Sequence, residues 1–361
     1  MSEERERAAR YDPRLLGTLA RALVLAAGAV VVLWVLFEIR RVLLLLFLAL
    51  IVALVLNVPV TWLEGRGHSR ELATGVIFAG LATVVGLLGW LVVPRLIGEV
   101  PQLINQLPQF LVGLANRAAA VFGNQSQLAR QLSAVAQWLL ELASQMWRYA
   151  GTLVASVILT IVLVAMSLFL VSNPRPLLRG YLRAMPPRLR RPAERAFARG
   201  SRMVVGWVTA NLLLGAIKGV FTFVFLRWIG VGGVAVWTVL AVLSSLLPAV
   251  GFYLMAIPPS LLAAADDPVR GLWVLVFFWA MSEFLGDFVA PRLWEHTMRL
   301  HPVYLLFMVI ATAATFGVVG VLVAIPLAGF LKTFFDEFYL LRWPEDPDVD
   351  EQIERILHRR I

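Results

Sequence analysis

The sequence predicts an all-α polytopic membrane protein with about eight transmembrane helices and two C-terminal regions that are broken or re-entrant. Of its 361 residues, 60% are hydrophobic and only 15% are charged, whereas soluble domains have about 25% charged residues. The mean hydropathy of +0.80 indicates long apolar segments. The high hydrophobic content and sparse charge exclude a cytosolic enzyme and a disordered chain, and the absence of cysteine excludes a disulfide scaffold.

Each predicted span is an apolar run that can cross the hydrocarbon layer of about 30 Å, which takes roughly 20 helical residues. Five runs contain no Asp, Glu, Lys or Arg and comprise residues 42–63, 72–94, 149–174, 228–265 and 302–331. Three further runs are shorter or carry one or two charges, and they comprise residues 22–37, 203–228 and 271–291.

Arginine placement predicts the orientation, because short positively charged segments stay in the cytoplasm. The N-terminal tail carries five arginines before residue 22, and residues 173–202 carry nine. We therefore expect both segments in the cytoplasm, which with eight crossings places both termini there, in the cytoplasmic (inner) membrane of a prokaryote. The net charge of +9 then reflects contact with anionic lipid headgroups of the bilayer and not with nucleic acid.

The segments between the spans complete the predicted organisation. Apolar residues at spacings of three and four predict amphipathic helices in residues 95–148, which cover an outer vestibule, pack on neighbouring subunits or lie on the bilayer. Five prolines predict that residues 173–202 begin as a loop, with a helix after Pro192. The units are residues 1–94 (tail and three spans), 95–148 (extracytoplasmic), 149–172 (fourth span), 173–202 (basic cytoplasmic loop and helix), 203–332 (core with broken helices) and 333–361 (cytoplasmic tail).

Charged residues inside a span indicate function, since they are costly in hydrocarbon and face a cavity or a partner. Lys218 lies in the fifth span along the chain, residues 203–228. Glu283 and Asp287 lie four residues apart on one face of the seventh span, residues 271–291. The carboxylates either change partners to carry a proton or cation, or one of them forms a fixed ion pair with Lys218. Asn211 adds either a polar contact to this site or a hydrogen bond between helices.

Two apolar regions contain residues that interrupt helices. Residues 228–265 are too long for one straight span, and residues 302–331 also contain glycine and proline. Such breaks line cavities in transporters, although two proline-kinked spans give the same pattern. Val-Gly followed by Ala-Ile-Pro occurs in both regions, which indicates weak internal symmetry. The predicted breaks are Pro248, Gly251, Pro258, Gly317, Gly320 and Pro326.

The motifs of membrane enzymes are absent from the sequence. Gly286-Asp287 lacks the Gly-x-Gly-Asp setting of an intramembrane aspartyl protease, and the four histidines fall at span ends or in tails. No HExxH, P-loop or GxGxxG pattern is present, so zinc catalysis and ATP-driven pumping have no site. We therefore expect no enzyme activity, no cofactor and no metal.

Five motifs of the C-terminal half together resemble the autoinducer-2 exporter (AI-2E) family of bacterial membrane proteins. They are residues 247–251 (LPAVG) with Ile257-Pro258, 287–292 (DFVAPR), 300–302 (LHP), 316–320 (FGVVG) and 324–328 (AIPLA). The resemblance implies a homo-oligomeric permease of about eight helices, associated with autoinducer-2 export or, in some relatives, with sodium(lithium)/proton antiport. The family often has asparagine in place of Asp287 and glutamate in place of Leu285.

Two functions follow as hypotheses. The first is a secondary transporter that moves a small polar solute or signal, such as autoinducer-2 in quorum sensing, by alternating access around the broken helices. The second is a sodium(lithium)/proton antiporter that binds the ion through its membrane carboxylates, and a passive oligomeric channel or scaffold is a third, less favoured. The predicted substrate or ion site comprises Glu283, Asp287, Arg292, His301, Lys218 and Asn211.

Overall fold

The computed structural model describes residues 13–122, 127, 131, 134, 137, 153–246, 251–294, 300–340 and 348–358, and the regular structure within them is helical. The helices of this part of the chain are α1 (Pro13–Glu38), α2 (Arg40–Glu64), α3 (Arg70–Phe122), α4 (Leu153–Ser172), α5 (Pro174–Ala184), α6 (Arg190–Ile229), α7 (Val234–Ser244), α8 (Gly251–Asp266), α9 (Pro268–Phe284), α10 (Ala290–Trp294), α11 (Pro302–Phe316), α12 (Val318–Phe338) and α13 (Val349–His358). A 3₁₀ turn at Pro187–Leu189 precedes α6, and a π-helical turn at Leu285–Val289 joins α9 to α10. The predicted all-α fold is confirmed.

Several of these helices are long and apolar enough to cross a membrane, which confirms the polytopic architecture. Five such helices among the described residues are Arg40–Glu64, Arg70–Arg95, Pro187–Ile229, Pro268–Val289 and Val319–Phe338. The pair Leu159–Ser172 and Pro174–Ala184, bent by 82°, is a sixth candidate. Shorter apolar helices cover Leu23–Glu38, Val234–Ser244, Gly251–Ala264 and Pro302–Phe316. The predicted regions 228–265 and 302–331 are thus both divided between helices.

The chain divides into two compact units, and the first comprises Met1–Leu48. Its helix α1 exposes large apolar side chains from Leu23 onward. Arg40 lies at the turn after α1, where its Nη1 donates a hydrogen bond of 2.7 Å to the carbonyl of Phe37 and its guanidinium lies 3.9 Å from the centre of the Phe37 ring. The arginine therefore satisfies a carbonyl at the end of α1, which accounts for a cation in a tight turn between two apolar helices.

Within the second unit, Ala49–Ile361, helices α2, α3 and α4 share an apolar cluster and one arginine. Arg70 begins α3, and its Nε donates to the carbonyl of Val171 in α4 at 2.9 Å. Its Nη1 and Nη2 donate to Glu64 at 2.9 Å and to Asn57 at 2.6 Å, both in α2. Because the guanidinium presents five N–H donors in a rigid fork, one side chain joins three helices.

Helix α3 continues past the end of the predicted third span at residue 94. It has 53 residues, which corresponds to a length of about 80 Å. Residues 95–122 therefore form one helix with the span instead of a separate helix. Most of residues 123–152 lie outside the described part of the chain, and the extracytoplasmic location of this segment stays a prediction.

The basic stretch after α4 is helical where a loop was predicted at its start. Pro174 and Pro176 occupy the first turn of α5, where the missing N–H of proline costs nothing. Helix α6 begins at Arg190, two residues before Pro192, and continues unbroken to Ile229, a length of about 60 Å. The predicted loop is therefore wrong for α5, because prolines at a helix start were taken as helix breakers.

The main apolar core of the second unit is formed by α6 to α10. Close backbone contacts at glycine shape it. Gly251 begins α8 against the carbonyl of Ser244 in α7, and Gly271 of α9 lies against Ala264 of α8, so neither position has room for a side chain. These contacts bring consecutive helices of the core together.

Helices α11 and α12 form a hairpin around Gly317. This residue has φ 65° and ψ −145°, a conformation that is essentially restricted to glycine. Gly320 follows in the first turn of α12 and lies against the carbonyl of Thr312 in α11, where a Cβ atom would overlap the oxygen. The predicted break at Gly317 is thus a tight turn, and Gly320 allows the two helices to meet.

Two of the predicted breaks are wrong. Pro258 and Pro326 lie inside α8 and α12, and both helices continue past them. Tertiary packing overrides the local helix-breaking tendency, because neighbouring helices and hydroxyl groups can satisfy the freed carbonyls. In both copies of the Val-Gly and Ala-Ile-Pro pattern, the glycine packs the start of a helix onto the preceding helix, and the proline follows within that helix.

We expect Gly320→Ala to lower the melting temperature of the purified protein, because the added methyl group collides with the carbonyl of Thr312. Overpacking of this kind costs about 1–3 kcal/mol. Gly86→Ala in α3 is the matched control, since nothing lies within 4 Å of an added Cβ there, and it should be neutral or stabilising. Equal melting temperatures of the two variants would contradict the close contact of α11 and α12.

Candidate functional site

A polar stripe runs along the apolar part of α6. We define it as Asn211, Lys218 and Thr222, whose spacings of seven and four residues place them on one helix face. Asn211 is buried, and its Nδ2 donates a hydrogen bond of 2.8 Å to the carbonyl of Trp207. Lys218 is half-buried and Thr222 is fully buried. The predicted site residues Asn211 and Lys218 therefore share a helix face with Thr222. Thr222 was not predicted, although its spacing of four residues from Lys218 could be read from the sequence.

The hydroxyl of Thr222 has no hydrogen-bond partner among the residues that the structure describes. Threonine in a helix commonly donates to the carbonyl four residues earlier, as Thr74, Thr238 and Thr312 do in this chain. For Thr222 that carbonyl belongs to Lys218, and the bond is not formed. Since a buried unpaired hydroxyl costs about 1–3 kcal/mol, this group is a candidate for binding a ligand.

Two glycines beside the polar stripe bring α7 close to α6. A Cβ atom at Gly215 would lie 2.8 Å from Oγ of Ser245, and one at Gly219 would lie 2.7 Å from Cγ2 of Val242. The Gly-x-x-x-Gly spacing is common where membrane helices meet, because it lets the backbones approach. Helix α7 therefore packs directly alongside the polar stripe.

The two predicted carboxylates lie at a π-helical turn. Glu283 is in the last turn of α9, and Asp287 lies within the π-helical turn Leu285–Val289. Both carboxylates are exposed on the chain, as are the rings of Phe284 and Phe288, which stack with centroids 5.7 Å apart. Single π-turns inside α-helices occur frequently at functional sites, because they change the direction of the side chains that follow.

The intramembrane charges are not paired with one another. Among the described residues, no carboxylate oxygen lies within 4.0 Å of the Lys218 ammonium, and no cationic nitrogen lies that close to Glu283 or Asp287. The fixed ion pair that the sequence left open is therefore not formed. Since an isolated charge in hydrocarbon is costly, these groups require water, a ligand or another chain beside them.

The remaining predicted residues lie apart from the polar stripe. His301 caps the start of α11, where its Nδ1 accepts a hydrogen bond of 3.3 Å from the N–H of Val303. Arg292 is exposed in α10 and has no ion-pair partner in the described part of the chain. Pro248 lies outside the described residues. Within residues 13–122, 153–246, 251–294, 300–340 and 348–358, no three histidine, aspartate or glutamate side chains converge as metal ligands would.

A buried carboxylate outside the predicted site joins α6 to α12. Glu337, near the end of α12, is only 2% exposed. Its Oε2 lies 2.9 Å from Nε of Arg195, and its Oε1 lies 2.8 Å from Nη1 of Arg199. Gly200 packs against the ring of Phe330 next to this contact. Glu337 was not predicted, because its two partners lie 142 and 138 residues away in the chain.

Unpaired charges and an unpaired hydroxyl within membrane-spanning helices are typical of membrane transport proteins, and interrupted helices are a feature of many transporters. Comparison with known families gives the same class and narrows it. The family described as AI-2E family transporter matches residues 22–340, and the chain belongs to this family. The predicted family is thereby confirmed, and the chain is a membrane transporter and not an enzyme.

Curated relatives match most of the chain. A protein of Mycobacterium tuberculosis is 24% identical over 323 residues, which cover 86% of this chain and 87% of the relative. "Putative transport protein YhhT" of Escherichia coli K12 is 24% identical over 313 residues, with 81% and 83% covered. A Synechocystis protein is 23% identical over 317 residues, with 79% and 75% covered. All three are named as transport proteins in the same words, and none of the names gives a solute.

We expect Arg195→Gln/Arg199→Gln to lower the melting temperature, because it leaves the buried carboxylate of Glu337 without a counter-charge. Glu337 is buried but both arginines are about half exposed, so the cost is that of one buried acceptor left without its partners, about 1–3 kcal/mol. Adding Glu337→Gln should restore much of the loss. Arg188→Gln/Arg191→Gln is the matched control, since it removes the same charge at exposed positions of the same segment. A triple variant that melts no higher than the double variant would show that charge does not hold this contact.

Proposed function

We propose that the protein is a secondary transporter of the inner membrane that exports a small polar solute or signal, such as autoinducer-2, by alternating access. The observation that carries the proposal is the polar stripe on α6, in which Lys218 has no described counter-ion and Thr222 has no hydrogen-bond partner. Groups of this kind are retained inside a membrane where they meet a solute, an ion or water. The family description supplies autoinducer-2 as the first solute to test.

The chemistry of the polar stripe suits a small polar solute. A solute that leaves water needs donors and acceptors that replace its hydration, and these come from the walls of the pathway. The Thr222 hydroxyl both donates and accepts, and the Lys218 ammonium donates up to three hydrogen bonds. Because Thr222 is fully buried, a solute reaches it only after the surrounding helices move. The neighbouring contact of α7 with Gly215 and Gly219 is the one that we propose to open.

The short helices support alternating access. Helices α7 and α8 have 11 and 16 residues, so their lengths of about 16 and 24 Å are less than the hydrocarbon thickness of about 30 Å. Together with the hairpin of α11 and α12, they either cross as broken spans or re-enter. Short segments of this kind can rock against a long helix such as α6 while the backbone remains hydrogen-bonded.

Assembly into a homo-oligomer fits the position of the carboxylates. Glu283 and Asp287 are exposed on a single chain, within a helix long enough to span the membrane. Lipid is a poor environment for both groups, whereas a second copy or a water-filled pathway between copies would accommodate them. The arginines of residues 173–202 support cytoplasmic placement of that segment and of both termini.

We expect Thr222→Val to reduce transport of labelled autoinducer-2 into proteoliposomes by about two- to tenfold, since a lost hydrogen bond of about 0.5–1.5 kcal/mol has an effect of this size. Valine keeps the shape of threonine and removes the unpaired hydroxyl, so the melting temperature should stay equal or rise. Thr312→Val is the matched control, because that buried hydroxyl donates to the carbonyl of Met308 in its own helix. Unchanged transport by Thr222→Val would show that the Thr222 hydroxyl of the polar stripe does not contact the transported solute.

A sodium(lithium)/proton antiporter is the second candidate, favoured by the unpaired carboxylates of Glu283 and Asp287 at the π-helical turn. Oxygen ligands from carboxylates suit small hard cations, and the same oxygens can take up a proton. A passive oligomeric channel or scaffold differs from both candidates, because its flux would not saturate or would be absent. Saturable flux that depends on a counter-ion gradient excludes it.

We expect Asp287→Asn to separate the two candidates in proteoliposomes with imposed sodium and proton gradients. For an antiporter, exchange should fall to background, because the amide neither ionises nor takes up a proton. For an exporter of a neutral signal, solute flux should persist. Asp266→Asn is the matched control, since this exposed aspartate ends α8 and lies 3.9 Å from Arg270. Cation-driven pH changes that survive in Asp287→Asn would rule out this antiport mechanism.

A further inference from the structure

A basic groove lies between the first turns of α6 and the end of α12, apart from the polar stripe. It is open and has a volume of about 630 Å³. The residues that line this basic groove are Glu194, Arg195, Ala198, Arg199, Arg202 and Glu337.

Three arginines of the basic groove follow one another on one face of α6, because Arg195, Arg199 and Arg202 have spacings of four and three residues. Glu337 orients two of them and uses one nitrogen of each, Nε of Arg195 and Nη1 of Arg199. The other N–H groups of both guanidiniums have no acceptor among the described residues, so a second acceptor can use them. Planar guanidiniums held in place match the oxygen atoms of a phosphate group, which they bind in a bidentate manner.

Arg202 supplies the charge that the groove does not neutralise by itself. It is exposed and has no ion-pair partner in the described part of the chain. Three arginines face two carboxylates in the lining, those of Glu194 and Glu337, which leaves a formal excess of one positive charge. A monoanionic phosphate group balances this excess. Because the excess is small, fixed geometry and not bulk charge must give the affinity.

The neighbouring surface supports a position of the basic groove near lipid headgroups. On the same end of α12, Phe335 and Tyr339 are both 55% exposed, and Leu331 is 49% exposed. An exposed tyrosine such as Tyr339 at the end of a membrane-spanning helix is typical of the interface between hydrocarbon and water. The tyrosine and the end of the candidate span support a position of the groove near the phosphates of a leaflet.

We propose that the basic groove is a binding site for a phosphate group, presented either by an anionic phospholipid of the adjacent leaflet or by free inorganic phosphate. Arg202 provides the main charge for this ligand, while Arg195 and Arg199 provide further N–H donors from positions fixed by Glu337. The proposal is independent of the transported solute, because the groove and the polar stripe share no residue.

The test measures ligand binding by calorimetry to the delipidated full-length protein in a neutral detergent. The three ligands are dihexanoyl phosphatidylglycerol, dihexanoylglycerol without a phosphate, and inorganic phosphate. We expect saturable binding of phosphatidylglycerol, a loss of affinity of about tenfold in Arg202→Gln, which corresponds to one charged contact, and a smaller loss in Arg202→Lys. Arg188→Gln is the matched control, since this exposed arginine of the same basic segment does not line the groove, and its affinity should stay within about twofold.

The outcomes separate the sources of the phosphate and can overturn the site. The free ion is the ligand if inorganic phosphate competes with phosphatidylglycerol and binds more weakly to Arg202→Gln. The lipid is the ligand if phosphatidylglycerol binds and inorganic phosphate does not. Equal losses in Arg202→Gln and Arg188→Gln would show attraction by general charge and overturn the proposal. Dihexanoylglycerol that binds as tightly as phosphatidylglycerol would overturn it too, because acyl chains alone would then explain the binding. Melting temperatures of all variants verify that each protein is folded.

Discussion

The hydrogen-bonding requirement of the backbone in hydrocarbon governs this fold, since lipid offers no partner to a free N–H or carbonyl. A chain that interrupts its helices at membrane depth must therefore cover the helix ends with protein. Glycine achieves this twice, where Gly251 brings the start of α8 against Ser244 and Gly320 brings the start of α12 against Thr312. Because the helices meet backbone to backbone, the prolines that follow in α8 and α12 lie in packed surroundings and do not end them.

The polar groups divide into those that the fold satisfies and those that it leaves open. Arg70 makes hydrogen bonds to α2 and α4 through all three of its nitrogens, and Glu337 binds two arginines. In the apolar helices, by contrast, Lys218 lacks a described counter-ion and Thr222 lacks a described partner. Groups left open at a cost in stability are best explained by function, because a purely structural residue at Thr222 would be apolar or bonded to its own helix.

Hydropathy was sufficient to predict the helical membrane fold, and residues 42–63 indeed lie within α2. Spacing along one helix was sufficient to relate Asn211 to Lys218. Local patterns fail where the answer depends on distant packing. Nothing near Glu337 in the chain indicates its arginines, which lie 138 residues or more away. In the same way, Pro326 looks like a helix break by local propensity, and only its packed surroundings make a continuous helix possible.

Helix α6 connects the two sites, and the kinds of contact it makes indicate which neighbour can move. Toward α12 it is held by the buried Glu337 and by Gly200 against Phe330. Separation of the two helices would break both ion pairs of this buried carboxylate, which is costly. Toward α7 the contact lies at Gly215 and Gly219, where the missing side chains leave room for the neighbouring helix. No ion pair joins α6 to α7 among the described residues, and an uncharged contact of this kind separates at lower cost than a charged one. The proposed route to Thr222 therefore assigns the movement to α7, with α12 held against α6.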